Sequence, residues 1–205
     1  MVPKILHFVW LGEANPLADY CQKTVTDLHP DYDIRVWRQK PHKWPELFEK
    51  AWNKAGNRLA QQADVLRVWG LWKYGGVYMD SDFIGIRPLK EEWLKCRFRC
   101  AEHWRKGIDF GRKKLANGVM ISQKEATELA IIIMGWDKIK QVEWESFGGY
   151  RLYEVSKLCK MNPLPAKAFF PNIDEDTALG KDREELAEEY SDTHFIHLWK
   201  AGRYG

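Results

Sequence analysis

Three aspartate pairs spaced by one residue stand in this chain: Asp31-Tyr32-Asp33, Asp80-Ser81-Asp82 and Asp174-Glu175-Asp176. In an extended segment alternate side chains point the same way, so such a pair can present two carboxylates to one side. Two carboxylates so placed suit a hard divalent cation, Mg²⁺ or Mn²⁺, that is itself held against phosphate oxygens. The triplet alone is a weak signal, and a solvated strand-to-turn exit also accounts for Asp80 and Asp82. Only the second triplet has further chemistry around it. It follows a short β-prone run, Val77-Tyr78-Met79, which in turn follows a helical stretch carrying Asp64 and Arg67 one turn apart.

The elements that must position these groups are legible in the chain. Ala63, Leu66, Trp69 and Lys73 mark one helical face, and Asp64, Arg67 and Leu71 a neighbouring one. Gly75-Gly76 stops that helix, because glycine takes a left-handed backbone without a Cβ clash. Asp64 and Arg67 also fit a plain ion pair on a helix surface, which would be worth little. Upstream, Ile5 to Trp10 reads as a buried central strand ended by Gly12, with His7 packed inside it. Asn15-Pro16 opens a helix that runs to about Leu28. Ile34 to Trp37 alternates as a second strand. A strand, helix and strand of this length form a βαβ-type unit, so a mostly parallel sheet is expected.

Further helices are expected from Trp44 to Ala55, stopped by Gly56, and then from a cap at Asn57. Phe83 to Ile86 continues extended, Lys90 to Leu94 makes a short helical turn, and Arg97 to Cys100 is a strand. Asn117 to Ser122 enters another strand, and Ser122-Gln123-Lys124-Glu125 reads as a capping box for a helix through Met134. Phe147-Gly148-Gly149-Tyr150 precedes a helix to about Lys160, Pro163 to Asn172 is a loop or edge strand, and Lys181 to Glu189 is a charged surface segment. With no repeat or low-complexity linker, the 205 residues read as one domain.

Composition excludes several classes. Hydrophobic content of 45% with 30% charged residues describes a soluble globular chain. A net charge of +3 without a long basic tract gives no reason to expect nucleic acid. The four cysteines show no paired metal spacing and read as buried free thiols of a reducing, cytoplasmic compartment. No signal-peptide pattern opens the chain, and the longest apolar run, Ala130 to Met134, is far short of the ~20 residues of a membrane span.

The whole stretch A-D-x-x-R, then G-G-x-Y-x-D-x-D, resembles the donor-sugar signature of DXD-motif glycosyltransferases. It is nearest the bacterial and fungal family of Och1-type mannosyltransferases and capsular-polysaccharide sugar transferases, and is similar to the glucosylating domain of large clostridial toxins. Ile5-Leu6-His7-Phe8-Val9-Trp10-Leu11-Gly12 resembles the same families' opening strand. The resemblance covers roughly the first 90 residues well and the rest thinly. It implies an α/β fold of GT-A type, a mixed, mainly parallel sheet flanked by helices. It implies metal-dependent, retaining transfer of a hexose from a UDP- or GDP-linked donor to a glycan or glycolipid hydroxyl, with Mn²⁺ or Mg²⁺ as cofactor. Asp80, Asp82 and His197 would hold the metal, Asp80 also acting through ribose or water. Trp10 would stack on the base, although a strand-end core residue fits it too. Asp64 and Arg67 would grip the sugar, and Asn117 would lie beside it. The tail from His194 to Tyr204 would fold back over the donor, loose until ligand binds, bringing His197 and Trp199; a plain edge strand also fits His194 and His197.

Some features depart from the family or stay open. Gly149 stands where relatives carry proline after glycine, and Arg203-Tyr204 where they carry a second tryptophan. Fungal members are membrane-anchored, an anchor not read here, so a lipid-linked acceptor would need only peripheral contact. The basic segment Arg105 to Lys114 fits a solvated loop, or a lid meeting an anionic glycan or lipid phosphate. Two other classes fit the same residues: a sugar- or nucleotide-binding module without turnover, and a metal-dependent nucleotidyl- or phosphotransferase, which no P-loop supports.

Overall fold

Strand β1 (Ile5–Val9) is the apolar run expected at the centre of a sheet, and Leu6, His7, Phe8 and Val9 are all buried. In the computed structural model, which describes residues 1–103 and 114–199, β1 pairs in parallel with β2 (Asp33–Trp37) on one side and β3 (Gly76–Met79) on the other. Strand β6 (Lys114–Ser122) pairs antiparallel with β3, and β5 (Phe98–His103) antiparallel with β6. The order is β2-β1-β3-β6-β5, with β6 alone running against the other four. Asn15 caps α1 (Pro16–Asp27) by accepting from two backbone amides, as its place before proline requires. His7 is the packed strand histidine expected. Its Nε2 donates to the Gly75 carbonyl at 2.8 Å, Trp37 donates to its Nδ1, and burial holds the ring neutral, down to about 4.

One sheet face packs on α2 (Glu46–Ala55), α3 (Leu59–Tyr74), α4 (Thr127–Gly135) and α5 (Gly149–Leu158), through Phe48, Leu66, Trp69, Tyr78, Met120 and Ile132. The other face buries Leu6, Phe8, Val77, Met79, Val119 and Ile121 against Phe169 and Phe195. Alternation along β3 thus sends Val77 and Met79 to one face and Tyr78 to the other. The chain then leaves this sheet. Strand β4 (Phe83–Gly85) starts a two-stranded sheet, and after α6 (Glu175–Gly180) and α7 (Arg183–Glu189) the antiparallel β7 (Phe195–His197) completes it.

Some expectations are corrected. Helix α2 begins at Glu46, because Pro45 occupies its N-cap. Asn57 does not cap α3, whose N-cap is Arg58 without a side-chain bond. Ser122 opens no helix: pairing opposite Gly76 keeps it in the ladder, and α4 starts only after Glu125 turns the chain at a φ of 55°. The segment read as loop or edge strand holds a 3-10 turn, Ala166–Ala168, and a single bridge from Leu164 to Ala101. All four cysteines are free, but only Cys21 and Cys100 are buried, their thiols pushed up to about 12 by burial. Among the described residues no helix is long and apolar enough to cross a membrane.

Candidate functional site

Helix α3 is buried around most of its circumference, from Asp64 through Leu71. The surface ion pair that its spacing also allowed is thereby excluded, since Asp64 and Arg67 each leave only 9% of their side chains exposed. Their oxygen and nitrogen, Oδ1 and Nη2, lie 3.2 Å apart. Asn117 of β6 ties both down: its Nδ2 donates to Asp64 Oδ1 at 2.7 Å, and its carbonyl accepts from Arg67 Nη1 at 2.9 Å. The same Nη1 faces Asp80 Oδ1 at 3.1 Å. Tyr78 completes the network, with its ring 4.5 Å below the guanidinium and its hydroxyl donating to Asp80 Oδ1 at 2.7 Å. A Cβ at Gly148 would sit 2.0 Å from Asn117 Nδ2, so the turn before α5 passes over this network only as glycine.

Asp80 ends the β3 run, and Ser81 and Asp82 form a turn rather than continuing the strand. The two carboxylates converge all the same, because hydrogen bonds fix each residue of the triplet to a different neighbouring segment. Asp80 N–H bonds the Gly118 carbonyl, Ser81 Oγ donates to the Val9 carbonyl, and the Asp82 carbonyl accepts from Leu198 N–H. Strand β7 lays His197 opposite Phe83. His197 Nε2 then stands 2.9 Å from Asp82 Oδ1 and 3.7 Å from Asp80 Oδ2. One ligand atom from each of these residues falls within 4.8 Å of the others.

Charge in this space is strongly coupled. Burial pushes the Asp64 carboxyl up to about 7 against the pull of Arg67. Burial also opposes the charges of Arg67 and Asp80, but their mutual attraction wins: Arg67 stays cationic and Asp80 is held well below the usual carboxylate range. His197 is lifted to about 9, Asp82 and Asp80 overcoming the cost of burying an imidazolium. Among the described residues, Arg67 Nε and His197 Nδ1 are buried without a hydrogen-bond partner. Two carboxylates and an imidazole aimed into one space are a donor set that fits Mn²⁺, and through its oxygens Mg²⁺.

The predicted residues therefore assemble: Asp64, Arg67, Asp80 and Asn117 in one network, and Asp80, Asp82 and His197 in a second that shares Asp80. Trp199 joins the second, its ring 4.1 Å from that of His197. Trp10 follows Val9, the residue that anchors Ser81; its ring is half-buried and its Nε1 donates to the Glu13 carbonyl. His194 stands apart, bonded through Nδ1 to the Pro88 carbonyl. The described part of the tail folds back beside the triplet, with Phe195–His197 paired as a strand to β4 and Phe195 and Ile196 buried. The segment Arg105 to Lys113, the Lys114 side chain, and Lys200 to Tyr204 lie outside the described residues. Sequence reasoning assigned no role to Tyr78 or Gly148, though both carried a signal, in G-G-x-Y and the paired glycines.

Comparison with known proteins bears on the fold and on the segment that carries the triplet. Residues 17–98 match the family model described as a glycosyltransferase sugar-binding region containing a DXD motif. Inositol phosphoceramide mannosyltransferase 3 of Schizosaccharomyces pombe is 32% identical over 90 residues, 40% of this chain and 24% of that protein. Lactosylceramide 4-alpha-galactosyltransferase of Rattus norvegicus is 22% identical over 202 residues, 87% of this chain and 49% of that protein. The chain thus spans between a quarter and a half of these relatives' length. The solved PaToxG glycosyltransferase shares the fold, with a TM-score of 0.60 at 12% identity over 77% of this chain and 69% of that one. The resemblance to DXD-motif glycosyltransferases and the GT-A type of fold hold. Trp10, Asn117, His197 and Trp199 all fall outside the matched segment, so the fold alone joins them to it.

Proposed function

We propose that this chain is a metal-dependent glycosyltransferase that moves a hexose, with retention, from a UDP- or GDP-linked donor to a glycan or glycolipid hydroxyl. The observation that carries this reading is the convergence of Asp80, Asp82 and His197 beside the buried Asp64–Arg67–Asn117 network. Asp80, Asp82 and His197 would hold Mn²⁺ or Mg²⁺. When bound, the cation supplies Lewis-acid uptake of charge on the leaving diphosphate. Arg67 is a fixed, buried cation that needs little reorganisation as negative charge develops nearby. Asp64 and Asn117 offer an acceptor and a donor already locked against each other, a preorganised grip for sugar hydroxyls. Trp10 would stack on the base, and Trp199 would border the donor. One domain of this kind over residues 1–205 is part of the same reading. The relatives named for inositol phosphoceramide and lactosylceramide support a glycolipid acceptor, which this chain would reach by peripheral membrane contact.

The test is a thermal-shift screen of UDP- and GDP-hexoses with and without Mn²⁺, followed by identification of the nucleotide released. A ligand-bound native state melts higher in proportion to affinity. One nucleotide sugar should raise the melting temperature only with the metal and be turned over to nucleoside diphosphate. No stabilisation by any of them, or release of pyrophosphate, would overturn the reading.

A further inference from the structure

His197 Nδ1, the ring nitrogen not aimed at Asp82, has no hydrogen-bond partner among the described residues, although it is buried. A histidine that ligates a metal ordinarily donates its second ring N–H to a carboxylate or carbonyl, which fixes tautomer and ring orientation. Rotation of an imidazole about its last torsion is otherwise broad and two-fold. Around His197 that restraint is aromatic. The ring is enclosed by Phe83 at 4.6 Å, Phe170 at 5.7 Å and Trp199 at 4.1 Å between centroids, with interplanar angles of 53°, 70° and 83°.

Phe83 directly follows Asp82, and Trp199 lies two residues beyond His197. Phe170 comes from elsewhere in the chain and touches the other rings: Phe83 at 5.7 Å, His103 at 4.8 Å and Trp199 at 6.4 Å. Its segment is laced to both neighbouring strands. Leu164 N–H bonds the Cys100 carbonyl and the Leu164 carbonyl accepts from Glu102 N–H, at 2.8 and 2.9 Å. On the other side the carbonyls of Lys167 and Ala168 accept from Thr193 Oγ1 and His194 N–H, both at 2.9 Å. Phe170 is therefore fixed relative to β5 and to the entry of β7, the strand that carries His197.

We propose that Phe170 is a positioning residue that sets the ring orientation of His197 by packing, in place of the hydrogen bond a ligating histidine usually makes. This deepens the metal-dependent reading and rests on it. A flat ring is what the role requires, since face and edge contacts oppose rotation where a tetrahedral side chain fills volume without directing it.

The experiment uses the full chain and two readouts. NMR of the histidine ring nitrogens in the metal-free protein reports the environment and orientation of the ring, with His197 signals identified by a His197→Gln variant. Calorimetric titration with Mn²⁺ alone reports affinity. Phe170→Ala should alter or broaden the His197 ring signals and weaken Mn²⁺ about tenfold or more, the usual effect of losing a supporting group. Phe170→Leu should fall between, and Phe170→Tyr should restore both readouts. A folded Phe170→Ala with unchanged ring signals and affinity overturns the proposal; if that variant does not fold, the same result in Phe170→Leu does. Failure of the wild type to take up Mn²⁺ overturns the metal reading instead, and the ring signals alone then decide the role of Phe170.

Discussion

Asp80-Ser81-Asp82 and Asp174-Glu175-Asp176 share a spacing and share nothing else. Asp174 caps α6: its carboxylate accepts from the Thr177 amide at 2.8 Å and from the Thr177 hydroxyl, and it lies in solvent. Both of these bonds come from a residue three positions on, in the first turn of the helix. The partners of Asp80 and Asp82 include Tyr78 two residues back, but also Arg67 of α3 and His197 of β7, brought together from separate parts of the chain. The remaining triplet is exposed as Asp174 is: Asp31 and Asp33 pair with Lys4 and Arg35, each at 2.7 Å, near the sheet's outer edge. An identical short motif is thus a helix cap, a rim of ion pairs or a candidate metal site, according to what packs against it.

The largest difference between the two triplets should appear in turnover. Asp82→Ala should cut Mn²⁺-dependent donor hydrolysis and transfer by roughly a hundredfold or more, the scale of losing one preorganised electrostatic group. Asp174→Ala should leave the rate unchanged, and chelator should abolish it until Mn²⁺ is restored. Equal losses in both variants, or full activity in chelator, would erase the contrast.

A smaller effect is expected one network away. Asp64→Asn should weaken binding of the nucleotide sugar by about tenfold, on the scale of a hydrogen bond to a charged group, and spare the free nucleoside diphosphate. Because Asp64 balances buried Arg67, the variant's melting temperature must be followed as well. A folded variant that discriminates the sugar normally would make Asp64 purely structural.

Proton linkage sharpens the comparison further. In the metal-free chain His197 titrates near 9 against an ordinary 6.5. Its contribution to stability is complete below 6.5 and is lost as pH rises through 9. The melting temperature should therefore fall across that window, and Asp82→Asn should flatten the fall. Mn²⁺ affinity should rise over the same window, since a ligating imidazole must give up its proton. Asp174 responds at the other end. Bonds from Thr177 lower its pKa, so its contribution is present above the ordinary 3.8 and fades as pH falls below it.

The smallest effect is that of Asp174→Ala on stability: a slight drop in melting temperature near neutral pH, vanishing in acid, from loss of one exposed cap. Calorimetry at two pH values reads it. A drop as large as that of Asp82→Ala in the metal-bound protein would mean that the Asp174 triplet holds more than α6.

The sequence by itself determined the local grammar. Asn15-Pro16 started α1, Gly75 and Gly76, at φ of 68° and 110°, stopped α3, and the apolar run from Ile5 made a central strand. It also placed Asp64, Arg67, Asp80 and Asp82 within one stretch, where helix period and strand end are enough to bring them near each other. These features depend on backbone propensity and on side chains a few residues apart, which a linear chain displays. It misjudged Ser122, because a ladder bond to another strand outweighed its capping pattern. Only the tertiary structure decided that Asp64 and Arg67 are buried, that Asn117 locks them, and that the tail is a strand delivering His197 to Asp82. Only it found Phe170, which no motif marks. Those facts depend on which distant segments share a sheet edge, and hydrophobic burial sets that edge for the whole chain at once, with no spacing along the sequence to announce it.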